Sequence, residues 1–235
     1  MKLPTITIDN RTPPCSRREV APGDDGQHAA RGIATLDSRL TNSVGAMTAV
    51  RPRLPYTYDD YRTLPEDMSR RYELLHGDLY MAPAPTTLHQ RILGNLYAMM
   101  RQRIRPQELG EVFIAPLDVI LGQGDAREVA QPDLMFVAAS RLDIVKLHGI
   151  EGPPELVVEI LSPGTEDRDR GYKLKMYARH GVLEYWIINP VARTLDLHKA
   201  GPSDYLPAIR YGENDVMTCE LFRGLNISLQ EIFAY

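Results

Sequence analysis

The sequence predicts one α/β (α+β) domain preceded by an N-terminal extension, and three observations support this. Of the 235 residues, 43% are hydrophobic and 25% are charged, which is typical of a globular protein with one sizeable core. Short apolar runs typical of strands alternate with two segments of helical periodicity. Neither an internal repeat nor a low-complexity tract interrupts this pattern.

The extension covers residues 1–50, and we expect the compact domain over residues 56–235. The first segment mixes Pro, Gly, Ser, Arg and Asp without helical or alternating periodicity, so it is predicted to be poorly ordered. Met47 opens a stretch that would serve as a translation start. Our hypothesis is that residues 1–46 are dispensable or arise from an upstream start-site assignment.

Composition narrows the class of protein. No apolar run approaches the roughly 18 residues of a membrane span, and the N-terminus lacks the apolar stretch of a secretory signal. Cys15 and Cys219 form neither a metal-binding pair nor a disulfide framework. We therefore expect a cytoplasmic protein without a membrane partner.

The net charge of −4 does not indicate general nucleic-acid binding, which usually leaves a basic footprint. It does not exclude such binding, because a local groove can be basic on an acidic protein. An acidic metal site would itself lower the net charge.

The predicted elements begin with a hairpin at Y-E-L-L-H-G-D-L-Y-M, with its tight turn at His76-Gly77. Thr86 or Thr87 then caps an amphipathic helix that ends before Pro106. Strands are predicted over 111–121, 133–137 and 155–161, with a Gly/Asp loop over 122–128. They are followed by a helix over 167–180 that Gly181 ends, strands at 184–188, 194–199 and 216–222, and a helical turn near 229–233.

Glu159 is the most informative residue, because it interrupts the otherwise apolar strand L-V-V-E-I-L. An ionised carboxylate is costly to bury unless a cation, a metal or a raised pKa compensates it. This placement indicates function, whereas the alternative is a strand end at which Glu159 reaches solvent or an arginine.

Asp133 and Asp118 are further acidic candidates. Asp133 opens the strand D-L-M-F-V, 26 positions before Glu159, and two converging carboxylates form a hard oxygen site suited to Mg²⁺ or Mn²⁺. Taken alone, an Asp at the start of a strand is more often a turn or cap residue. Asp118 interrupts the run I-A-P-L-D-V-I-L and is a third candidate metal ligand, or else part of the polar face of a hairpin.

Lys173 is the candidate cation, since it stands on the helix that follows Glu159. It would position or activate the attacking water, or counter charge in the transition state. The alternative is a surface pair with Asp169 at i−4. His89 and Glu73 are candidates to orient metal-bound water, or they satisfy local polarity. The histidines lack zinc-ligand spacing, and Walker, Rossmann and G-x-S-x-G motifs are absent.

These residues lie in motifs that resemble the Uma-two family, a bacterial group of endonucleases in the restriction-endonuclease-like, PD-(D/E)XK superfamily. The motifs are Y-E-L-L-H-G-D, H-Q, Q-P-D-L-M-F-V, E-L-V-V-E-I-L-S-P, D-R-x-x-K and G-V-L-E-Y-W-I-I-N-P, in that order from Tyr72 to Pro190.

The resemblance implies a central mixed sheet flanked by helices, with Asp133 and Glu159 as metal carboxylates. The superfamily signature has a lysine two residues after the second acid, but here Leu161 stands there. The resemblance therefore selects Lys173, from the next helix, for the lysine role.

The function that we expect is a Mg²⁺- or Mn²⁺-dependent endonuclease that hydrolyses nucleic acid, with DNA as the substrate by family analogy. A homodimer is expected by the same analogy. Two alternatives stay open: a degenerate nuclease fold that only binds nucleic acid or a protein, and a hydrolase of small phosphate esters.

Overall fold

The computed structural model describes residues 54–64 and 71–234, with the side chain of Arg71 left out. The predicted N-terminal extension over residues 1–50 lies outside the described residues. Among the described residues, no helix has both the length and the apolar character needed to cross a membrane.

The main sheet has six strands in the order β12-β11-β10-β9-β6-β3. It is mixed, because β9 and β10 are parallel whereas the other neighbouring pairs are antiparallel. The bounds of its strands are β3 Gly110–Ile114, β6 Leu134–Ala138, β9 Leu156–Ile160, β10 Glu184–Asn189, β11 Thr194–Lys199 and β12 Ile209–Gly212.

A second six-stranded sheet has the order β2-β1-β5-β4-β8-β7. The predicted hairpin forms its β1–β2 pair, with the turn at His76-Gly77. Its strands are β1 Arg71–Leu75, β2 Asp78–Ala82, β4 Val119–Leu121, β5 Glu128–Ala130, β7 Val145–Lys146 and β8 Gly149–Glu151. A small third sheet pairs β13 Val216–Cys219 with β14 Leu225–Ser228.

Five α-helical segments accompany these sheets in the described residues. The helices are α1 Tyr58–Arg62, α2 Thr87–Ile104, α3 Glu166–Arg168, α4 Leu174–His180 and α5 Leu229–Ile232. Thr86 caps α2, and Gly181 ends α4 with a left-handed φ of 87°. Both ends were predicted from the sequence and are confirmed.

The main sheet carries a core on each face. On the first face, Leu156, Val158 and Ile160 of β9 pack with α2 and α5. On the second face, Val157 packs with Tyr177 of α4 and with residues of the second sheet, including Val119. Because side chains alternate along a strand, Glu159 lies on the same face as Val157 and points toward this second core.

The predicted strand over residues 111–121 is wrong as a single element. The chain leaves the main sheet after Ile114, passes through the cis Ala115-Pro116 bond, and enters the second sheet at Val119. β3 is the edge strand of the main sheet, and Pro116 lacks the backbone N–H that a further ladder hydrogen bond would need at the point where the run leaves that sheet. The run therefore joins the two sheets.

The predicted helix over residues 167–180 forms, but with a π-helical turn at Asp169–Lys173 between α3 and α4. A π-helical turn holds one extra residue per hydrogen-bonded ring, and such turns occur often at functional sites. Asp169 and Lys173, its first and last residues, are both buried. The turn therefore carries two charged side chains into the interior.

We predict that Leu96→Ala lowers the free energy of unfolding by about 2–5 kcal/mol, because a fully buried side chain leaves a cavity in the first core. The matched control is Leu147→Ala, at a leucine that is 90% exposed, which should change it by less than about 0.5 kcal/mol. Urea unfolding measures both values. Equal losses for the two variants would contradict the assigned core.

Candidate functional site

Asp133 immediately precedes β6, and Glu159 lies in β9, the strand that pairs with β6. Leu134 of β6 pairs with Val158 of β9, so the next positions along the ladder are Asp133 and Glu159. The backbone N–H of Ile160 donates to Asp133 Oδ2 at 2.8 Å. Both acids are only 5% exposed. The pairing of β6 with β9 therefore brings Asp133 next to the end of the strand that carries Glu159.

His89 reaches this pair from the first turn of α2. Its Nε2 lies 3.0 Å from Asp133 Oδ2, which already accepts the Ile160 N–H, so the imidazole is the donor in this contact. His89 Nδ1 is buried without a hydrogen-bond partner in the described structure. The histidine therefore fixes the orientation of the Asp133 carboxylate.

Lys173 points at Glu159. Its Nζ donates to Glu159 Oε1 at 2.8 Å and lies 2.8 Å from Glu73 Oε1. Leu161, which stands where the superfamily signature has its lysine, is buried in the second core. The ammonium group thus reaches Glu159 from the neighbouring helical segment rather than from the strand.

Glu73 enters the site from β1 of the second sheet. Its Oε1 accepts the backbone N–H of Gln131 at 3.0 Å as well as facing Lys173. Arg168 NH1 lies 3.6 Å from Glu73 Oε2, and its guanidinium stacks on the Tyr80 ring at 4.0 Å. The site is therefore built between the two sheets.

Sequence reasoning missed Asp169 and Tyr177 as parts of this site. Asp169 was weighed only as the surface partner of Lys173, but the pair is buried, with 3.4 Å between Nζ and Asp169 Oδ1. Tyr177 donates its hydroxyl to Glu159 Oε1 at 3.1 Å. The spacing Asp169, Lys173, Tyr177 places polar groups on one helical face, and that was the available signal.

Asp118 lies beside the site rather than in it. Its carboxylate accepts the Tyr61 hydroxyl at 3.0 Å and the side-chain N–H of Gln131 at 2.7 Å. Burial raises the pKa of Asp118, these two hydrogen bonds lower it, and the charge of Glu73 raises it further. Gln131 is the link between Asp118 and Glu73.

Negative charge dominates the buried cluster. The cluster has four carboxylates that are at most 5% exposed, and they face the buried Lys173 ammonium and the more distant Arg168 guanidinium. These four acids are Glu73, Asp133, Glu159 and Asp169. Burial raises the pKa of Glu159 well above its ordinary value. Lys173 opposes this shift, whereas the charges of Asp169, Asp133 and Glu73 add to it. The pKa of Asp169 is also raised, chiefly by burial.

Lys173 keeps its proton in this setting. Burial favours the neutral amine, but the charges of Glu159, Glu73 and Asp169 outweigh burial, so the pKa of Lys173 lies well above its ordinary value. Its ammonium group therefore serves as a fixed positive charge and a hydrogen-bond donor.

The described residues contain no ready set of three or more His, Cys, Asp or Glu ligands around one point. The reason is geometric, since the Lys173 ammonium stands among the oxygens of Glu73, Glu159 and Asp169. Mg²⁺, however, needs only one or two carboxylates, with waters and substrate phosphates completing its shell. The hard oxygens of Asp133 and Glu159 and the excess negative charge fit such an ion.

This architecture, with a mixed sheet, flanking helices and acids opposed at the sheet interior, is that of a restriction-endonuclease-like fold. The model of the Uma2 family, described as "Putative restriction endonuclease", matches residues 58–230. The chain belongs to the Uma2 family. The predicted resemblance is confirmed, and membership supports a nuclease function in general.

Similarity to individual proteins extends over most of the chain. An "Uncharacterized protein" from Synechocystis sp., slr1290, is 26% identical over 192 residues, covering 80% of this chain and 97% of that protein. The crystal structure of "a putative nuclease belonging to DUF820" from Anabaena variabilis superposes with a TM-score of 0.63 at 20% identity. The superposition covers 76% of this chain and 98% of the Anabaena variabilis chain, and this similarity confirms the predicted fold.

We predict that Glu159→Gln raises the melting temperature of the metal-free protein at about pH 8. The pKa of Glu159 is higher in the folded protein than the ordinary value of 4.5, so between these two values the folded state holds a proton that the unfolded state releases. Folding stability is therefore lost as the pH rises from 4.5 toward the folded-state pKa. The gain should vanish below about pH 4.5, as differential scanning calorimetry across pH would measure.

Glu155→Gln is the matched control, because Glu155 is buried beside the same strand but is compensated by Arg141 and by the Ala138 N–H. This variant should lose stability at about pH 8. A lower melting temperature for Glu159→Gln at that pH would contradict the charge imbalance in the cluster.

Proposed function

We propose that the protein is a Mg²⁺- or Mn²⁺-dependent endonuclease that hydrolyses the phosphodiester bonds of DNA. The observation that carries the proposal is the opposition of Asp133 and Glu159 on adjacent strands, with Lys173 Nζ 2.8 Å from Glu159. Phosphodiester hydrolysis needs a cation at the phosphate and stabilisation of developing charge, and this cluster offers residues for both.

Asp133 and Glu159 would hold the divalent cation through carboxylate oxygens. When bound, such an ion supplies Lewis-acid stabilisation of the phosphate and lowers the pKa of water. His89 and the Ile160 N–H hold one oxygen of Asp133, which limits the rotation of that carboxylate. This support resembles the hydrogen bonds that orient metal-binding carboxylates in general.

Lys173 would act as a charge, not as a base. A protonated ammonium cannot accept a proton from water, and its raised pKa keeps it protonated at neutral pH. Its position beside Glu159 suits it to donate a hydrogen bond to a phosphate oxygen and to offset the negative charge that builds up there. Glu73 and Asp169 hold the ammonium in place.

DNA, the cytoplasm and a homodimer are parts of this proposal that rest on indirect support. DNA and the dimer follow from analogy with restriction-like nucleases. The reducing location rests on cysteine usage, since the sequence has only Cys15 and Cys219, far apart and without the pattern of a disulfide framework. Nicking of supercoiled plasmid tests DNA as the substrate, and sedimentation in solution tests the homodimer.

The central catalytic prediction is that Glu159→Gln reduces DNA cleavage by at least about 10²-fold, because it removes the carboxylate charge that would bind the cation and that pairs with Lys173. The control is Glu111→Gln, which changes an exposed acid on β3 and should leave the rate unchanged. Plasmid nicking with Mg²⁺ and with Mn²⁺ measures both. Equal activity of Glu159→Gln and the wild type would contradict the assignment.

Metal binding should release protons and strengthen as pH rises. The pKa values of Glu159 and Asp169 are raised in the metal-free protein, and a bound cation requires ionised carboxylates. Isothermal titration with Mn²⁺ in two buffers of different ionisation enthalpy measures the protons released. Binding that is independent of pH from about 5.5 to 7.5 would refute this coupling.

A further inference from the structure

A groove beside the candidate active site combines aromatic and basic side chains. It has a volume of about 800 Å³ and lies between α1 and the β7–β8 hairpin. Volumes of this size hold organic ligands. The lining side chains on which the argument depends are Tyr58, Tyr61, Tyr72, Arg62, Arg127 and Lys146.

The basic side chains of the groove lack acidic partners. In the part of the chain that the structure describes, no carboxylate lies within ion-pair distance of Arg62, Arg127 or Lys146. Lys146 Nζ donates only to the backbone oxygen of Asp143, at 2.6 Å. By contrast, the arginines elsewhere in the fold that carry structural roles, such as Arg141 and Arg210, are paired with buried acids. Asp118 and Glu151 also line the groove, so its three basic and two acidic side chains give a formal charge of +1 on a chain with a net charge of −4.

The aromatic side chains form a platform within the groove. The Tyr58 and Tyr61 rings stack with 6.4 Å between their centroids and 12° between their planes. The Arg127 guanidinium lies 4.9 Å from the centre of the Tyr58 ring. Nucleobases stack on tyrosine rings and on guanidinium planes alike. Tyr58 is partly exposed, and Arg127 is exposed, so a base can reach them.

A chain of side-chain contacts connects the wall of the groove to the buried carboxylate cluster. Tyr61 donates to Asp118, Gln131 bridges Asp118 and Glu73, and Glu73 contacts Lys173. Asp118 and Gln131 themselves line the groove. A strand bound in the groove would therefore lie against Asp118 and Gln131, which contact the residues of the cluster through hydrogen bonds.

We propose that this groove binds an unpaired segment of nucleic acid, with bases against Tyr58 and Arg127 and phosphates near Arg62 and Lys146. Bases in a duplex are stacked on each other and cannot stack on a protein ring unless they leave the helix. The groove therefore selects single-stranded over double-stranded substrate. This inference deepens the proposed endonuclease function and rests on it for its biological meaning.

Binding of fluorescein-labelled oligonucleotides to the full chain in EDTA tests the groove without cleavage. Single-stranded DNA and RNA should both bind more tightly than a duplex of the same sequence. Arg127→Ala and Tyr58→Leu should each weaken single-strand binding by about tenfold, the size expected from the loss of one stacked base. Fluorescence anisotropy gives the dissociation constants.

Two controls separate stacking from folding and from net charge. Tyr58→Phe keeps the ring and should retain binding, which distinguishes lost stacking from a disrupted α1. Arg105→Ala removes an exposed arginine at the end of α2, which packs on the opposite face of the main sheet, and should have no effect. Tighter binding of duplex, or loss of binding in Arg105→Ala equal to that in Arg127→Ala, would overturn the proposal.

The groove and the nuclease proposal fail in different ways. If Arg127→Ala and Tyr58→Leu cleave DNA and bind single strands as the wild type does, the groove proposal is refuted and the nuclease proposal stands. Single-strand binding that depends on Tyr58 and Arg127, in a protein that cuts no nucleic acid with either metal, would support the groove and refute the nuclease.

Discussion

The contact between the Lys173 ammonium and the buried carboxylates is the interaction on which the site depends. Four acids held in an apolar interior would be strongly unfavourable without a cation among them. Lys173 lies within 2.8 Å of an oxygen from Glu159 and from Glu73, which come from different sheets. A single ammonium group thereby joins the main sheet, the second sheet and the helical segment between them.

The positive charge in the cluster does not balance the negative charge of its four carboxylates, and this imbalance is what points to cation binding. Lys173 and Arg168 do not match the charge of Glu73, Asp133, Glu159 and Asp169. Burial raises the pKa of Glu159 above its ordinary value, and the charges of the other three acids add to that rise. A fold selected for stability alone would favour apolar residues here, because well-packed hydrophobic side chains often replace buried ion pairs without loss. Retaining excess negative charge makes sense where a divalent cation and a phosphate are to be bound.

Much of this arrangement was predictable from the sequence, for identifiable reasons. Glu159 contradicts the apolar pattern of its own strand, and Asp133 stands at the start of another, so both acids could be found without any structure. The caps at Thr86 and Gly181 follow from local chemistry, which depends on few neighbours. The spatial opposition of the two acids came from the strand pairing.

Other features depended on long-range packing and could not be read from local patterns. The break at Pro116 sends one apolar run into two sheets, and short strands such as β7 and β8 carry too few residues for periodicity. Asp169 looked like a surface partner of Lys173 because the sequence does not reveal the π-helical turn or the second sheet that covers it. The aromatic and basic groove joins residues from α1 to β8, so no single motif contained it.

The most direct test of the central claim is the anomalous scattering of Mn²⁺ in crystals soaked at saturating concentration. We expect one strong peak within coordination distance of the carboxylate oxygens of Asp133 and Glu159, with Lys173 still beside Glu159. A well-ordered structure with those carboxylates in place and no ion between them, or with Mn²⁺ bound only elsewhere, would contradict it.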